Sequence, residues 1–145
     1  LFLDEIGELP LAIQAKLLRF VQEGEIFRVG GKDPIKVDIR LVCATNRELD
    51  QEVVRGNFRE DLFYRLNVVP VFLPQLNDRK DDLEVLIHIF IRKFNQVHSK
   101  RITGITTDAL TILKKHSWPG NIRELENVIE HAFVLESTNS ILQIL

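Results

Sequence analysis

The feature that most constrains the fold is the start of the sequence, where an apolar run leads directly into two carboxylates, Leu1-Phe2-Leu3-Asp4-Glu5. A short apolar run without alternation is typical of a strand in a parallel sheet, because both faces of such a sheet are covered. Ligands of open α/β sheets bind beyond the carboxyl ends of the strands. The pattern therefore predicts that Asp4 and Glu5 lie at a ligand site, with a solvated acidic turn as the alternative. Because no capping or leader sequence precedes the strand, we expect a fragment.

The composition indicates a globular chain with the size of one domain or two small lobes. It has 145 residues, of which 45% are hydrophobic, and a formal net charge of -2. This charge provides no overall basic field for nucleic acid or a membrane surface, so such binding would have to be local. The single cysteine, Cys43, cannot form an internal disulfide and excludes a thiolate metal site. Without a membrane span or a signal peptide, we expect a cytoplasmic protein.

Residues 1–74 show the strands and helices of an α/β fold. A helix is expected from Pro10 to about Glu23, because its apolar residues recur at helical spacing and Gly24 follows. The later patterns predict, in order, two strands, two short helices and a third strand, at Ile26–Val29, Val37–Ala44, Glu48–Arg55, Arg59–Leu66 and Val68–Leu73. Pro70 favours a sheet edge or a strand end for the third strand.

Residues 75–145 are predicted to be all helical. Asp78 is the expected N-cap of a helix whose apolar residues follow the i, i+3, i+4 pattern over 83–97. Shorter helices are expected at about 107–116 and after Asn121. The sequence therefore predicts two lobes, a sheet lobe followed by a small all-α lobe.

Two pairs of polar residues follow strands of the predicted sheet. One carboxylate of Asp4-Glu5 can hold Mg²⁺ through water, and the other can orient an attacking water. Thr45-Asn46 follows the second strand and could hydrogen-bond a phosphate or a water. Such a pair more often forms only a local turn, which is the alternative.

Two arginines, Arg59 and Arg65, flank an acidic and aromatic run. Guanidinium forks are the preferred partners of phosphate oxygens. A spacing of six places the two side chains about 120° apart on a helix, so both reach one ligand only if one lies at the helix entrance. From spacing alone, salt bridges to Glu60 and Asp61 or to neighbouring acids are the favoured interpretation.

Arg123 is expected in the first turn of the last helix, where the positive end of the helix dipole disfavours a cation by up to about 1 kcal/mol. A bound anion would remove this conflict, because a helix N-terminus beside an arginine is suited to anions. Neutralisation by Glu124 or Glu126 is the alternative. Trp118, which precedes this helix, is expected in the core of the helical lobe.

Five stretches together resemble the AAA+ ATPase domain of bacterial enhancer-binding proteins, the sigma-54-dependent transcriptional activators. The resemblance covers nearly the whole chain, and the motifs occur in the family's order. They are Leu1–Leu9, Gln14–Arg19, Ala44–Arg47, Phe58–Asn67 and Trp118–Leu125.

The resemblance implies a role for each candidate residue. Asp4 and Glu5 are similar to the Walker B motif, with Asp4 on the water shell of Mg²⁺ and Glu5 activating the hydrolytic water. Thr45 and Asn46 are similar to sensor I, which reports the γ-phosphate state. Arg59 and Arg65 are similar to the paired arginine fingers, which enter the nucleotide site of a neighbouring subunit. Arg123 is similar to sensor II, which lies in the lid. ATP is the implied nucleotide, the implied assembly is a ring, usually a hexamer, and the implied partner is the sigma-54 RNA polymerase holoenzyme.

The departures from the family pattern concern motifs that the sequence does not contain. A Walker A loop and the family's Gly-Ala-Phe-Thr-Gly-Ala loop are absent, as is the helix-turn-helix that binds enhancer DNA. The chain is therefore expected to be the carboxyl-terminal part of the ATPase domain, to bind ATP weakly or not at all, and to contact enhancer DNA only through a missing domain. We also expect Leu1-Phe2-Leu3 to expose apolar surface. A non-catalytic oligomerisation or partner-binding module is the alternative function.

Overall fold

The computed structural model describes residues 1–31 and 33–136, and the backbone of Ile141–Leu142. The chain divides into two compact units, Leu1–Val71 and Phe72–Leu145. Each unit has its own cluster of buried apolar side chains. The two units are therefore described separately.

The first unit combines short strands with three α-helices. Its elements are β1 (Phe2–Leu3), a 3₁₀ helix (Ile6–Glu8), α1 (Leu11–Glu23), β2 (Glu25–Phe27), β3 (Pro34–Lys36), β4 (Val42–Cys43), α2 (Leu49–Val54) and α3 (Glu60–Leu66). Strands β1 and β4 pair in parallel, with Leu3 opposite Cys43, and β2 and β3 form an antiparallel pair with Ile26 opposite Ile35.

The helices of this unit form where the sequence predicts them. Gly24 ends α1 in the left-handed conformation, at φ 66°, and its N–H donates to the carbonyl of Phe20. The core contains Ile6, Phe58 and Leu62, which are at most 2% exposed. Half-buried Leu17 and Leu18 of α1 pack against this cluster.

The strands are shorter and more exposed than the sequence predicts. Of the expected strand Val37–Ala44, only β4 is paired. Leu1 and Phe2 are 58% and 61% exposed, so the prediction of a strand covered on both faces is wrong for these two residues. Their exposure confirms the expectation of apolar surface at this strand. Cys43 is half-buried, and burial raises the pKa of its thiol.

The predicted third strand, Val68–Leu73, is wrong. The segment has no strand assignment, and its apolar side chains are 74–89% exposed. β-Branched residues indicate only a potential for pairing, which requires a partner strand, and none of the described strands pairs with this segment. Pro70 removes one donor from any ladder.

The second unit is mainly helical. Its elements are a 3₁₀ helix (Leu76–Asp82), α4 (Leu83–His98), β5 (Gly104–Ile105), α5 (Thr107–Lys115), α6 (Asn121–Leu135) and β6 (Ile141–Leu142). Strands β5 and β6 pair in parallel. The prediction of Asp78 as an N-cap is wrong, because α4 begins at Leu83 after a kinked 3₁₀ helix with Arg79 at φ -133°. The N–H of Asp78 instead donates to the carbonyl of Gln75 within that 3₁₀ helix.

The core of the second unit lies between α4 and α6. The apolar stripe of α4 is buried against that of α6, which the helical spacing predicts. Trp118 is 2% exposed, and its indole N–H donates to the carbonyl of Leu113 at 2.9 Å, so its predicted core position is confirmed. Among the described residues, no helix combines the length and apolar character needed to cross a membrane.

Candidate functional site

The structure brings the two polar pairs together at one edge of the parallel strands. The N–H of Ala44 donates to the carbonyl of Leu3 at 2.8 Å, and the N–H of Ile6 donates to the carbonyl of Ala44 at 3.0 Å. Asp4-Glu5 and Thr45-Asn46 leave their strands immediately beside these bonds. Because parallel strands end at the same edge, the acids and the Thr-Asn pair face one region.

Gly7 shows how closely the two segments pack. A Cβ atom at this position would lie 2.8 Å from Thr45 Oγ1 and 3.3 Å from the Cβ of Arg47. Contacts that short require neighbouring atoms to move. Glycine therefore allows the 3₁₀ helix after the acids to rest directly on the Thr45 segment.

The acidic pair is exposed and conformationally strained. Asp4 Oδ1 accepts the N–H of Glu5 at 2.9 Å, which leaves Asp4 Oδ2 available. Glu5 has φ 53° and ψ 41°, a left-handed conformation that costs a non-glycine residue about 1–2 kcal/mol. Among the described residues, its carboxylate has no hydrogen-bond or ion-pair partner. Strain of this kind is concentrated at ligand and catalytic sites.

The Thr45-Asn46 pair combines a local turn with available polar groups. Thr45 Oγ1 accepts the N–H of Arg47 at 3.1 Å, so the turn expected as the alternative is present. The Thr45 hydroxyl proton remains a donor. Asn46 is exposed, and its amide side chain has no hydrogen-bond partner within the described part of the chain.

Arg59 and Arg65 occupy opposite ends of α3. Arg59 is the N-cap residue, at the helix entrance, and its Nε and Nη2 donate to Asp61 at 3.0 and 2.7 Å. These bonds raise the pKa of Arg59 and hold the pKa of the Asp61 carboxyl below its usual range. The predicted salt bridge thus forms for Arg59. Arg65, in the last turn, is exposed and has no ion pair with any described residue.

Arg123 lies in the first turn of α6, as predicted. Neither neighbouring acid neutralises it, because Glu124 accepts the N–H of Gly120 at 2.9 Å and Glu126 forms an ion pair with Lys93. Within the described residues, Arg123 itself has no ion pair. Glu124 places a negative charge in the same turn, but the exposed guanidinium of Arg123 stays unpaired among these residues and is available to a bound anion.

Three polar residues that connect these elements were not identified from the sequence, namely Arg47, Gln14 and Glu52. Arg47 pairs with Glu8 at 2.5 Å and with Glu52 at 3.3 Å, which joins the turn after the acids to α2. Gln14 of α1 is fully buried. A polar residue in the apolar stripe that contains Leu17 and Leu18 is the signal that could have revealed it.

Glu52 is 5% exposed and has several partners. Its carboxylate accepts hydrogen bonds from Asn57 at 3.0 Å and Arg55 at 2.6 Å. These two bonds, in that order of importance, hold the pKa of Glu52 below its ordinary value of 4.5. Its charged form is therefore part of the folded structure.

We expect Glu52→Gln to destabilise the folded state at neutral pH. Because the folded-state pKa is lowered, the contribution of Glu52 is complete above its ordinary value of 4.5 and is lost as the pH falls through the folded value. The difference in unfolding free energy between the two proteins should thus shrink on the acid side. This difference is measured by denaturant titration of a complete domain that contains this chain. Glu48→Gln, at an exposed position, is the control. A pH-independent difference would contradict the assignment.

The acidic edge fits a magnesium ion that is held mainly by water and phosphate oxygens. The described residues contain no group of three His, Cys, Asp or Glu side chains that could hold a metal alone. Mg²⁺ usually keeps several waters and takes one or two carboxylates plus substrate phosphates. The available oxygen of Asp4 meets that requirement.

Comparisons with known proteins give consistent matches. The family model described as the sigma-54 interaction domain matches residues 1–72, and that of the AAA+ ATPase lid domain matches residues 77–144. The regulatory protein AtoC of Escherichia coli (strain K12) is 55% identical over 137 residues, covering 94% of this chain and 30% of that protein. The Nif-specific regulatory protein of Klebsiella pneumoniae is 51% identical over 142 residues, covering 97% of this chain and 27% of that protein.

A solved structure also matches along the whole chain. The crystal structure of NtrX from Brucella abortus in complex with ATP superposes with a TM-score of 0.89 at 36% identity, covering 99% of this chain and 34% of that chain. The chain thus spans about a third or less of each of these three proteins.

Proposed function

Because the chain belongs to the sigma-54 interaction domain family of AAA+ ATPases, we propose that it is part of an ATP-hydrolysing domain that remodels sigma-54 RNA polymerase to activate transcription. The predicted fold class, a partial AAA+ sheet lobe followed by a helical lid, is confirmed by the family and structure matches. The observation that carries the proposal is the meeting of Asp4-Glu5 and Thr45-Asn46 at the carboxyl edge of two parallel strands.

In this proposal each polar pair has a separate task. Asp4 holds Mg²⁺ through water, and Glu5 orients the water that attacks the γ-phosphate. When bound, Mg²⁺ neutralises charge on the phosphate oxygens. Thr45 and Asn46 contact the γ-phosphate region through a hydroxyl and an amide, and the available donors of both side chains support this role.

The three arginines have two separate proposed roles. Arg59 and Arg65 act in the site of a neighbouring subunit, which requires a head-to-tail ring, with a hexamer as the proposed state. The absence of an ion pair at Arg65 within the described residues supports a partner outside its own chain. Arg123 contacts the nucleotide from the lid, which would remove the conflict with the α6 dipole.

The remaining assignments follow from the family. We propose that 1–74 is the carboxyl-terminal half of the α/β subdomain and that 75–145 is the lid, of which 137–140 and 143–145 lie outside the described residues. The sigma-54 holoenzyme is the partner, and enhancer DNA is reached only through another domain. The proposed location is the cytoplasm.

The direct test of this function is ATP turnover and open-complex formation by the full-length protein. The proposal predicts ATP hydrolysis and ATP-dependent opening of a sigma-54 promoter. A protein that assembles or binds a partner without hydrolysing ATP would support the non-catalytic alternative.

The 145-residue chain alone should bind ATP weakly or not at all. Its sequence contains no glycine-rich loop with the lysine that supplies most phosphate contacts in such sites. Calorimetric titration with ATP measures the affinity, and a micromolar dissociation constant would contradict this expectation.

A further inference from the structure

Gln14 has a hydrogen-bond partner for each polar atom of its buried side chain. Its Nε2 donates to the carbonyl oxygens of Leu9 at 2.7 Å and Asn57 at 2.9 Å. Its Oε1 accepts the N–H of Arg59 at 2.8 Å. The residue is 0% exposed, so no water competes for these bonds. A fully satisfied buried amide holds the segments it joins in one arrangement.

Gln14 joins the segment that follows the acidic pair to the segment that begins with Arg59, and both have a role in the proposed hydrolysis. Leu9 ends the 3₁₀ helix that follows Asp4-Glu5, and its N–H donates to the carbonyl of Ile6. Arg59 opens α3 and is bound through its backbone. One side chain therefore connects the acidic turn to the arginine of the same subunit.

A second set of contacts fixes the same arginine segment from α2. The carbonyl of Glu52 accepts the N–H groups of Asn57 at 2.9 Å and Phe58 at 3.1 Å. Phe58 is 2% exposed and belongs to the core. The backbone that leads into Arg59 is thus held on both sides. The side chain of Arg59 is 41% exposed, and Asp61 is its only partner within the described part of the chain.

We infer that Gln14 is a positioning residue that sets where Arg59 stands relative to the acidic turn, and so where this arginine enters the ATP site of the neighbouring subunit. The inference rests on the proposed function. A misplacement of about 1 Å can cost about 10²-fold in rate, and a trans arginine is worth about 10³- to 10⁵-fold. Loss of the three bonds should therefore reduce turnover without removing a group that touches the nucleotide.

The first test is Gln14→Met in the full-length protein, because methionine has a similar length and makes none of the three bonds. The turnover number should fall about 10²-fold, while the dissociation constant for ATP stays within about twofold. Leu17→Ala is the matched control, since it weakens the same helix and core without a bond to Arg59. Its turnover should follow only its folded fraction.

Mixing two kinds of variant subunit distinguishes an effect of Gln14 on the arginine from an effect on the acidic turn. Subunits with Glu5→Gln keep their arginines, so they should restore turnover at the intact ATP sites of Gln14→Met subunits. Subunits with Arg59→Ala should give no such recovery, because both partners then lack a well-placed arginine. If Gln14 acted only on its own acidic turn, turnover would recover with Arg59→Ala subunits and not with Glu5→Gln subunits. If it acted only on folding, neither mixture would recover, and either result would overturn the inference.

The outcomes distinguish this inference from the proposed function. A wild-type protein without ATP turnover would overturn the function, whereas wild-type turnover by Gln14→Met would overturn only the inference. If the methionine variant does not fold, Gln14→Asn is the second variant, because it keeps the buried amide but is one methylene shorter and cannot reach all three partners at once. It should retain ATP binding, lose turnover and recover on mixing with Glu5→Gln subunits; failure to recover would again overturn the inference.

Discussion

We expect Arg59→Ala to lower the turnover number for ATP by about 10³- to 10⁵-fold, while the same subunit still binds ATP. A guanidinium placed on the transferred phosphoryl group stabilises charge that develops only in the transition state. Its loss therefore affects the rate rather than nucleotide affinity. Steady-state hydrolysis and calorimetric ATP binding by the full-length protein measure the two quantities.

A loss of stability would not explain this fall in turnover, because Arg59 lies at an exposed position. The pair with Asp61 is exposed on both sides, at 41% and 46%, and such pairs contribute little to stability. Arg92→Ala is a matched control, because Arg92 is also exposed and lies on α4. Equal turnover by the Arg59 and Arg92 variants would contradict the role of Arg59.

Glu5→Gln should abolish most ATP hydrolysis and leave ATP binding intact. Loss of a general base typically costs about 10²- to 10⁴-fold in rate. Glutamine has the same shape and the same strain at φ 53°, so the turn should persist. Hydrolysis and binding are measured as for Arg59, with Glu23→Gln, an exposed acid at the end of α1, as control.

Unchanged turnover of Glu5→Gln would have a clear meaning. It would assign the acidic pair to a solvated turn, which is the alternative that the sequence left open. The non-catalytic oligomerisation or partner-binding module would then be the better account of the chain.

The parts of the fold that depend on local pattern could be predicted from the sequence. The spacing of apolar residues defines α1 and α4, and Gly24 ends α1 because glycine tolerates a positive φ. The segment Val68–Leu73 could not be placed in this way. Its residues favour extended structure, but whether they form a strand depends on a partner that the pattern does not contain.

The candidate site likewise has contacts that could be predicted from the sequence and contacts that could not. The proximity of Asp4-Glu5 and Thr45-Asn46 was predictable, because parallel strands share an edge. The bond between Gln14 and Arg59 joins residues 45 positions apart, and no local rule specifies it. The pairing of Arg47 with Glu8 likewise depends on how the 3₁₀ helix packs beside Thr45.

The central claim is that one subunit supplies the acids and its neighbour supplies the arginine. The most direct measurement is ATP turnover by a mixture of Glu5→Gln and Arg59→Ala subunits of the full-length protein. Each variant alone should be nearly inactive, whereas the mixture should hydrolyse ATP well above either one, because intact acids then meet intact arginines at some interfaces. A mixture no more active than its two components would contradict the account.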